Sequence, residues 1–392
     1  MNHPLPRGWQ EKTIGEIFQF IKNYTNSRAE LNDYDEISYI HYGDMHKYYR
    51  HRIECDKIDF PKISAEKLSK DISKISYAKN GDLIVVDASE DYEGTCISAE
   101  IKNLNYKLVS GMHTFLLRDE NKIFADGYRG YIFYNHDVHI QCCKIATGIS
   151  VYGISQENLK NIKIMIPPLD EQKRIADILS TFDDLIENLN KLIEKKELYK
   201  KGVMQRVLTG EVRFEGFTDE WETYKFEDIF IRIAGKKYQI NQNEYKEIGK
   251  YPVIDQGKKY ITAYSDNADK VFNNDNIIVF GDHTRIFKYV DFNFIIGADG
   301  VQLLKTNKEF DTKFMYYNLS NQYIPNTGYN RHFKFILDMS FYIPPSIEEQ
   351  NKIAELLTLI DKDIEILKQL LHLRKLQKKG LMQKLLTGEV RI

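Results

Sequence analysis

The stretch that decides the fold occurs twice in this chain. Residues 200–213 read KKGVMQRVLTGEVR, and residues 378–391 read KKGLMQKLLTGEVR. The similarity extends upstream, so that residues 171–214 align with residues 349–392 without a gap, with 22 identical pairs in 44 positions. An internal repeat is the first feature to interpret in a sequence, because missing it misassigns the whole fold. Here it predicts two copies of one element, in which Glu171 is equivalent to Glu349.

A second, weaker repeat marks where two larger segments begin. The two tryptophans of the chain, Trp9 and Trp221, are each followed eight residues later by an Ile-Phe pair. The tryptophans lie further apart in the chain than Glu171 and Glu349 do, so the first segment is longer than the second. The predicted order is therefore domain, spacer, domain, spacer, with the boundaries 1–165, 166–214, 215–342 and 343–392.

Each spacer is predicted to be a long helix. Pro167-Pro168 and Pro344-Pro345 cannot continue a helix from upstream, and the acidic residues that follow suit the positive end of a new one. Apolar residues then recur every seven positions in two columns three residues apart, which predicts an antiparallel coiled coil with the other copy. An amphipathic helix lying on its own domain is the alternative. The predicted seam consists of Ile175, Phe182, Leu189, Leu192, Ile353, Ile360, Leu367 and Leu370.

The two larger segments are predicted to be mixed α/β domains built around twisted sheets. They hold most of the 26 Tyr and 21 Phe residues. Short strand-like runs, such as residues 83–86 and 277–280, alternate in them with turn residues. The predicted fold class is α/β, with two such domains separated by two long antiparallel coiled-coil helices in a pseudo-two-fold internal repeat.

Composition excludes several classes of protein. With 42% apolar residues the chain can bury real cores, and 55 Lys plus Arg against 57 Asp plus Glu give a net charge of −2. That balance argues against a general nucleic-acid coat but allows local basic patches. The four cysteines lack metal-ligand spacing, so we expect reduced thiols and no metal site. Because the sequence contains neither a signal peptide nor a run of 18 apolar residues, we expect a cytoplasmic protein.

No catalytic motif is recognisable in the sequence. It lacks a phosphate-binding loop, a Gly-x-Ser-x-Gly motif and an HExxH motif. The Pro-Pro pairs have no Asp or Asn before them, unlike the motif of adenine methyltransferases. Residues 170–173 (DEQK) resemble part of a nuclease carboxylate–lysine cluster, but the second copy, residues 348–351, lacks the lysine, so helix capping explains them better. We therefore predict no catalytic residue and no cofactor bound by this chain.

Basic and aromatic side chains are concentrated in a few short segments. Residues 41–52 contain three His, three Tyr and three cations, and residues 258–260, 281–285 and 328–332 have the same character; residues 148–152 align with the last of these. Arg and Lys can donate to guanine edges and phosphates, while Tyr and His can bond phosphates or pack on sugars and bases. A solvated loop is the alternative. The predicted DNA-binding residues are His41, Tyr42, Lys47, Tyr48, Arg50, Arg52, Ser150, Tyr152, Lys258, Lys259, His283, Thr284, Arg285, Tyr329 and Arg331.

Together these features resemble the specificity subunit of type I restriction–modification enzymes. The resemblance covers essentially the whole chain and rests on the order of its segments. It also rests on the IPPL-x-EQ-x-x-IA motif at residues 166–176, which recurs with one insertion in the second copy, and on the LTGEVR tail of each spacer. Residues 39–44, 111–117, 281–285 and 296–301 are similar to recurring segments of target-recognition domains.

The resemblance implies a DNA reader without catalytic activity of its own. Each domain would bind one half of a bipartite, asymmetric site in double-stranded DNA, and the helices would set the distance between the halves. Two methyltransferase subunits would dock on the helices and methylate adenine N6 with S-adenosylmethionine, and two restriction/translocase subunits would cleave DNA with ATP and magnesium. Two other functions remain open from the residues alone: a coiled-coil scaffold for protein interactions, and a self-sufficient DNA methyltransferase or nuclease.

Overall fold

The computed structural model of the chain describes residues 5–48, 51–273, 276–328 and 330–392, with the backbone alone for Tyr48. The chain divides into two compact units, of which the first is Met1–Leu189 with Leu370–Ile392 and the second is Asn190–Gln369. Each unit contains one predicted domain together with a part of each long helix. The division runs through the helices, whereas the predicted boundaries fall at their ends.

The first unit is a mixed α/β structure. Its strands are β1 (Gln10–Thr13), β2 (Gln19–Ile21), β3 (Ile37–Ile40), β4 (His51–Glu54), β5 (Lys62–Ile63), β6 (Leu83–Val86), β7 (Ala88–Ser89), β8 (Ser98–Lys102), β9 (Leu108–Ser110), β10 (Thr114–Arg118), β11 (Tyr152–Gly153) and β12 (Lys163–Ile166). Its helices are α1 (Ile14–Ile17), α2 (Tyr42–Tyr48), α3 (Ala65–Leu68), α4 (His136–Ile145), α5 (Gln156–Lys160) and the start of α6 (Leu169–Val207). Short 3-10 helices span Arg28–Glu30, Cys55–Lys57, Ile72–Lys74 and Arg129–Tyr134.

Two sheets form the core of this unit. The larger has the strand order β2-β10-β6-β8-β4, in which β4 alone runs parallel to its neighbour, and the smaller has the order β5-β3-β9. The central strand β6 reads as four consecutive apolar residues because both of its faces are covered. Leu83 and Val85 join one buried cluster while Ile84 and Val86 join another, as expected for side chains that alternate across a strand.

The second unit repeats this topology with one strand fewer in the larger sheet. Its strands are β13 (Glu222–Lys225), β14 (Phe230–Ile233), β15 (Tyr251–Ile254), β16 (Ala263–Ser265), β17 (Val271–Phe272), β18 (Ile277–Gly281), β19 (Phe287–Val290), β20 (Phe294–Ile296), β21 (Val301–Thr306) and β22 (Ser340–Ile343). Its helices are α7 (Phe226–Ile229), α8 (Thr312–Asn321), α9 (Phe333–Leu337) and α10 (Ile347–Leu386), which continues into the first unit. Short 3-10 helices span Lys236–Tyr238, Gln242–Glu244 and Ala268–Lys270.

The two larger sheets correspond strand by strand. The order β14-β21-β18-β19 matches β2-β10-β6-β8, with nothing in the place of β4 among the described residues of the second unit. The smaller sheet, β16-β15-β20-β17, shares with the first unit a parallel pair made by its second and third strands. The prediction of two repeated mixed α/β domains and long helices is therefore confirmed.

Within each unit the portions of α6 and α10 run antiparallel, and the segment after one helix forms an ion pair with the start of the other. In the first unit the buried carboxylate of Glu171 accepts hydrogen bonds from the indole of Trp9 at 3.0 Å and from the guanidinium of Arg391 at 2.6 and 2.8 Å. In the second unit Glu349 accepts two bonds of 2.8 Å from Arg213. Asp170 and Glu171 lie in the first turn of α6, as predicted for acidic residues at the positive end of a helix. The side chain of Glu171 has a second role that was not predicted, because it also joins Trp9 and Arg391 to the start of this helix.

One column of the predicted seam is displaced by one residue. Ile175 and Leu189 are buried, but Leu192 is 42% exposed and lies outside the seam. The second buried column contains Leu179 and Ile193, which follow Ile175 and Leu189 of the first column by four residues. The predicted second column, which contains Leu192, follows the first by three residues. Both columns are apolar in the sequence, so the heptad pattern could not separate them. Of the other predicted seam residues, Ile353 and Ile360 are buried, and Phe182, Leu367 and Leu370 are half-buried.

Candidate nucleic-acid interface

Four connecting segments of the first unit, which include the short helix α2 and the two-residue strand β7, meet at one end of its sheets. They comprise residues 41–47, 87–94, 111–113 and 147–152, and we call them loop cluster 1. The backbone nitrogen of Tyr42 donates to the carbonyl of Met112 at 3.2 Å, and a ring nitrogen of His46 lies 2.9 Å from the carbonyl of Ala88. Pairing of β7 with β11 places the last loop beside the second. Loops that a rigid sheet holds together in this way commonly carry binding residues.

The chemistry of loop cluster 1 is acidic and aromatic. A cleft of about 600 Å3 is lined by Tyr42, His46 and the carboxylates of Glu90, Asp91 and Glu93. Carboxylates accept hydrogen bonds from the cytosine amino group, and aromatic rings can pack on bases or sugars. Sequence reasoning missed these acidic residues, although their position directly after the buried strand β6 was a usable signal.

Two titratable side chains support the loops of cluster 1, of which Asp87 is half-buried and His41 is buried. The carboxylate of Asp87 lies 3.1 Å from the Nδ1 atom of His113, and burial raises the pKa of Asp87. Burial lowers the pKa of His41, whose Nδ1 atom accepts a hydrogen bond from the backbone nitrogen of Gly43 at 3.2 Å. His41 therefore braces the start of the loop rather than projecting from it.

The structure brings most of the predicted residues of the first domain into loop cluster 1. Lys47 and Ser150 are exposed there, and Tyr42 and Tyr152 are half-buried. Arg52 lies elsewhere: it belongs to β4 and forms ion pairs with Asp184 of α6 and with Glu54. Tyr48 is the last residue of α2, and Arg50 lies outside the described residues.

Four loops of the second unit converge in the same manner. They comprise residues 255–260, 281–286, 297–301 and 327–332 without residue 329, and we call them loop cluster 2. The buried Asp282 connects three of them, since its backbone nitrogen donates to the carbonyl of Gly300 at 2.7 Å and its carbonyl accepts from the backbone nitrogen of His332 at 3.0 Å. The fourth joins through Gln256, whose carbonyl accepts from the hydroxyl of Thr284 at 2.5 Å.

A basic cleft opens beside loop cluster 2. It has a volume of about 570 Å3, and its polar lining consists of Arg232, Lys236, Gln239, Gln302 and Arg331 together with the carboxylates of Asp282, which is buried, and Asp299. The guanidinium of Arg232 lies 4.7 Å from the centre of the Phe333 ring and donates to the side chain of Gln302 at 3.2 Å. Arg and Gln are the side chains that make bidentate bonds to guanine and adenine edges. Of these lining residues only Arg331 was predicted, because the others come from strands and turns far apart in sequence.

The predicted residues of the second domain also meet in loop cluster 2. Lys258 and Lys259 are exposed, and His283 and Thr284 are half-buried. Arg285 has a left-handed backbone with φ of 62°, and its guanidinium donates to the carbonyl of Ile324 at 3.1 Å. Tyr329 lies outside the described residues.

The two clusters occupy equivalent places in the topology but differ in chemistry. The loops after β3 and β6 in the first unit correspond to those after β15 and β18 in the second, and the loops before β10 and β21 also correspond. The cleft of the first cluster is lined by three carboxylates and no arginine or lysine, whereas the cleft beside the second is lined by three cations, two glutamines and the two carboxylates of Asp282 and Asp299. The same framework therefore presents two different sets of hydrogen-bonding groups.

The described ranges contain neither a candidate metal site nor a candidate membrane span. No group of three or more His, Cys, Asp or Glu side chains there is arranged to hold a metal ion. No helix in that part of the chain combines the length and apolarity needed to cross a membrane.

Comparisons with known proteins agree with this architecture. A family model described as the type I restriction modification DNA specificity domain matches residues 6–197 and 218–373. The chain is 30% identical over 438 positions to a protein of Methanocaldococcus jannaschii named as the putative type I restriction enzyme MjaX specificity subunit, covering 99% of this chain and 95% of that protein. It is 28% identical over 426 positions to the MjaVIII specificity subunit of the same organism, covering 99% and 94%.

A solved structure shows the same fold. The crystal structure of the type I restriction-modification system S subunit from M. genitalium superposes with a TM-score of 0.62 at 17% identity, covering 98% of this chain and 97% of that one.

Proposed function

Because this chain belongs to the family of type I restriction–modification DNA specificity subunits, we propose that each of its two loop clusters reads one half of a bipartite DNA site. The function of the chain is recognition of a DNA sequence. The protein scaffold and the self-sufficient methyltransferase or nuclease, which the sequence left open, are not supported by any of these comparisons.

One observation carries the division into halves. Loop clusters 1 and 2 stand at equivalent strand ends, yet one cleft contains Glu90, Asp91 and Glu93 and the other Arg232 and Arg331. Since carboxylates and guanidinium groups read different base edges, the two halves of the site should differ in sequence. The length of α6 and α10 would set the number of base pairs between them.

Two methyltransferase subunits and two restriction/translocase subunits are the partners we propose. Support comes from the apolar side chains that α6 and α10 leave exposed outside the seam. Their exposed fractions are large, at 71% for Leu198, 61% for Leu359 and Ile366, and 60% for Leu373. Scattered exposed apolar residues are ordinary, but a series of them on two long helices is typical of a protein interface.

In this proposal the chemistry belongs to the partners. S-adenosylmethionine would be bound by the methyltransferase subunits, and ATP and magnesium by the restriction subunits, while this chain supplies only DNA recognition. Such a complex acts on the DNA of the cell, so we place it in the cytoplasm.

The test is an exchange of residues 215–342 for the corresponding residues of another family member. The chimera and the parent chain are each expressed with the parental methyltransferase subunits, and methylated adenines are mapped by sequencing genomic DNA. We expect one half of the methylated site to change and the other to stay constant. A chimera that assembles and alters both halves would refute the assignment of one cluster to each half.

A further inference from the structure

The second unit has an open groove where the first unit has a filled one. In the first unit β4 covers the edge of the larger sheet beside β8, and the ring of His51 in β4 stacks on Tyr131 with 4.8 Å between ring centres. Arg52, also in β4, pairs with Asp184 of α6. In the second unit β19, the counterpart of β8, is itself the edge strand. A groove of about 750 Å3 lies there, lined by residues of β19, α8 and α10.

This groove is strongly basic. Its lining includes six lysines but only two acidic residues, Asp361 and Glu365. Three of the lysines, namely Lys258, Lys313 and Lys362, form no ion pair within 4.0 Å with any described residue. The ammonium group of Lys313 instead lies 4.7 Å from the centre of the Tyr289 ring. The groove therefore presents uncompensated positive charge on an aromatic wall.

The internal repeat shows that this charge is specific to the second unit. Lys362 stands at the position of the second copy that is equivalent to Asp184 in the first. In the first unit the carboxylate at this position neutralises Arg52 of the additional strand. In the second unit the strand is missing among the described residues and the carboxylate is replaced by an exposed lysine. The open edge and the reversed charge thus occur together.

We propose that this lysine groove binds the phosphate backbone of the target DNA beside the half-site that loop cluster 2 reads. The proposal rests on the proposed function. Lys258 belongs both to loop cluster 2 and to the lining of the groove, so the two surfaces are continuous. Lysine ammonium groups bind phosphates as point charges, which fixes the position of a protein on the duplex without reading bases. The first unit makes no such contact, because β4 and Arg52 fill the equivalent place.

The expected effect follows from counterion release. Each phosphate contact contributes ~0.9 to the steepness with which the logarithm of the DNA-binding constant falls against the logarithm of the salt concentration. Between 1 M and about 0.15 M salt, one contact therefore raises the affinity roughly five-fold. Loss of two contacts should therefore weaken binding by roughly 30-fold and lower the slope by ~1.8. The sequence of the recognised half-site should not change, because phosphate contacts carry no base information.

The experiment uses the full chain assembled with its methyltransferase subunits. The site is first identified by mapping the adenines that the wild-type complex methylates, and binding to a duplex with this site is measured by fluorescence anisotropy at several salt concentrations. The test variant is Lys313→Gln with Lys362→Gln. The control variant is Lys195→Gln with Lys375→Gln, which removes the same charge from exposed helix positions outside the groove. Phosphate ethylation interference then locates the contacts.

We expect a lower salt slope for the test variant only, and loss of interference at phosphates beside one half-site. An unchanged slope would overturn the groove as a phosphate site while leaving the proposed function intact. Failure of the test variant to assemble with the methyltransferase subunits would instead make the groove a protein-docking surface, which also overturns it. If the wild-type complex binds no DNA site, the proposed function itself fails, and this inference with it.

Discussion

Removing the ammonium group of Lys378 should destabilise the first unit far more than removing that of Lys200 destabilises the second. The two lysines occupy equivalent positions in the two copies of the repeat. Each lies 2.5 Å from an aspartate of the facing helix, Asp183 for Lys378 and Asp361 for Lys200. The first pair is the more buried, with side chains 8% and 18% exposed against 23% and 38% for the second. Burial also lowers the pKa of Lys378.

The difference in burial sets the magnitudes. Removing one partner of a buried ion pair costs about 3–5 kcal/mol, because a buried charge is left uncompensated. Asp183 retains a hydrogen bond of 2.6 Å from the hydroxyl of Tyr131, so we expect the lower end, about 3 kcal/mol, for Lys378→Ala. The pair of Lys200 is closer to a surface pair, for which about 1 kcal/mol is expected. A difference of about 2 kcal/mol corresponds to roughly a 30-fold change in the opening equilibrium.

Native-state hydrogen exchange of the full chain measures this difference unit by unit. Peptides from β1 and β12 report on the first unit, and peptides from β13 and β22 on the second. The double variant Asp183→Leu with Lys378→Met is the control, since removing both charges together should recover much of the lost stability. Equal destabilisation by Lys378→Ala and Lys200→Ala would show that burial does not decide the strength of these pairs.

Three further predictions follow from individual side chains. Leu189 lies in the buried seam, so Leu189→Asp should lower the free energy of unfolding by several kcal/mol. Leu192 is exposed, so Leu192→Asp should leave the melting temperature nearly unchanged. Similar losses for both variants in a thermal melt would contradict this seam. Lys47→Ala and Arg331→Ala should each affect a different half of the recognised site in a binding assay with single-base substitutions, and an effect of both on the same half would be inconsistent with two reading clusters. Burial lowers the pKa of His41 in the folded state below the value of ~6.5 that a histidine has in the unfolded chain. The stability that neutral His41 contributes should therefore be complete above pH ~6.5 and be lost as the pH falls through the lower, folded-state pKa. His41→Gln should flatten this part of a profile of urea-unfolding free energy against pH.

The sequence by itself determined the elements whose signals are local. α6 begins at Leu169 and α10 at Ile347, just after the two Pro-Pro pairs, because proline cannot donate the hydrogen bond that would extend an earlier helix. The seven-residue repeat determined that both helices pair along an apolar seam. The segments that hold Lys47 and Lys258 were found from their basic and aromatic residues, and the structure places them after the equivalent strands β3 and β15.

Tertiary structure alone decided features that depend on partners distant in the chain. The seam could contain either of two apolar columns, and only tertiary packing selects the one with Leu179 over the one with Leu192. Leu179 is buried in one cluster with core residues of the first domain and with Met382 of the facing helix. The second role of Glu171 could not be predicted, because its partners Trp9 and Arg391 are 162 and 220 residues away in the sequence. Arg52 was grouped with DNA-binding cations for the same reason, since the carboxylate that binds it is 132 residues along the chain. A side chain's charge and polarity are written in the sequence, but whether that charge meets a partner or solvent depends on which distant segments the fold brings beside it.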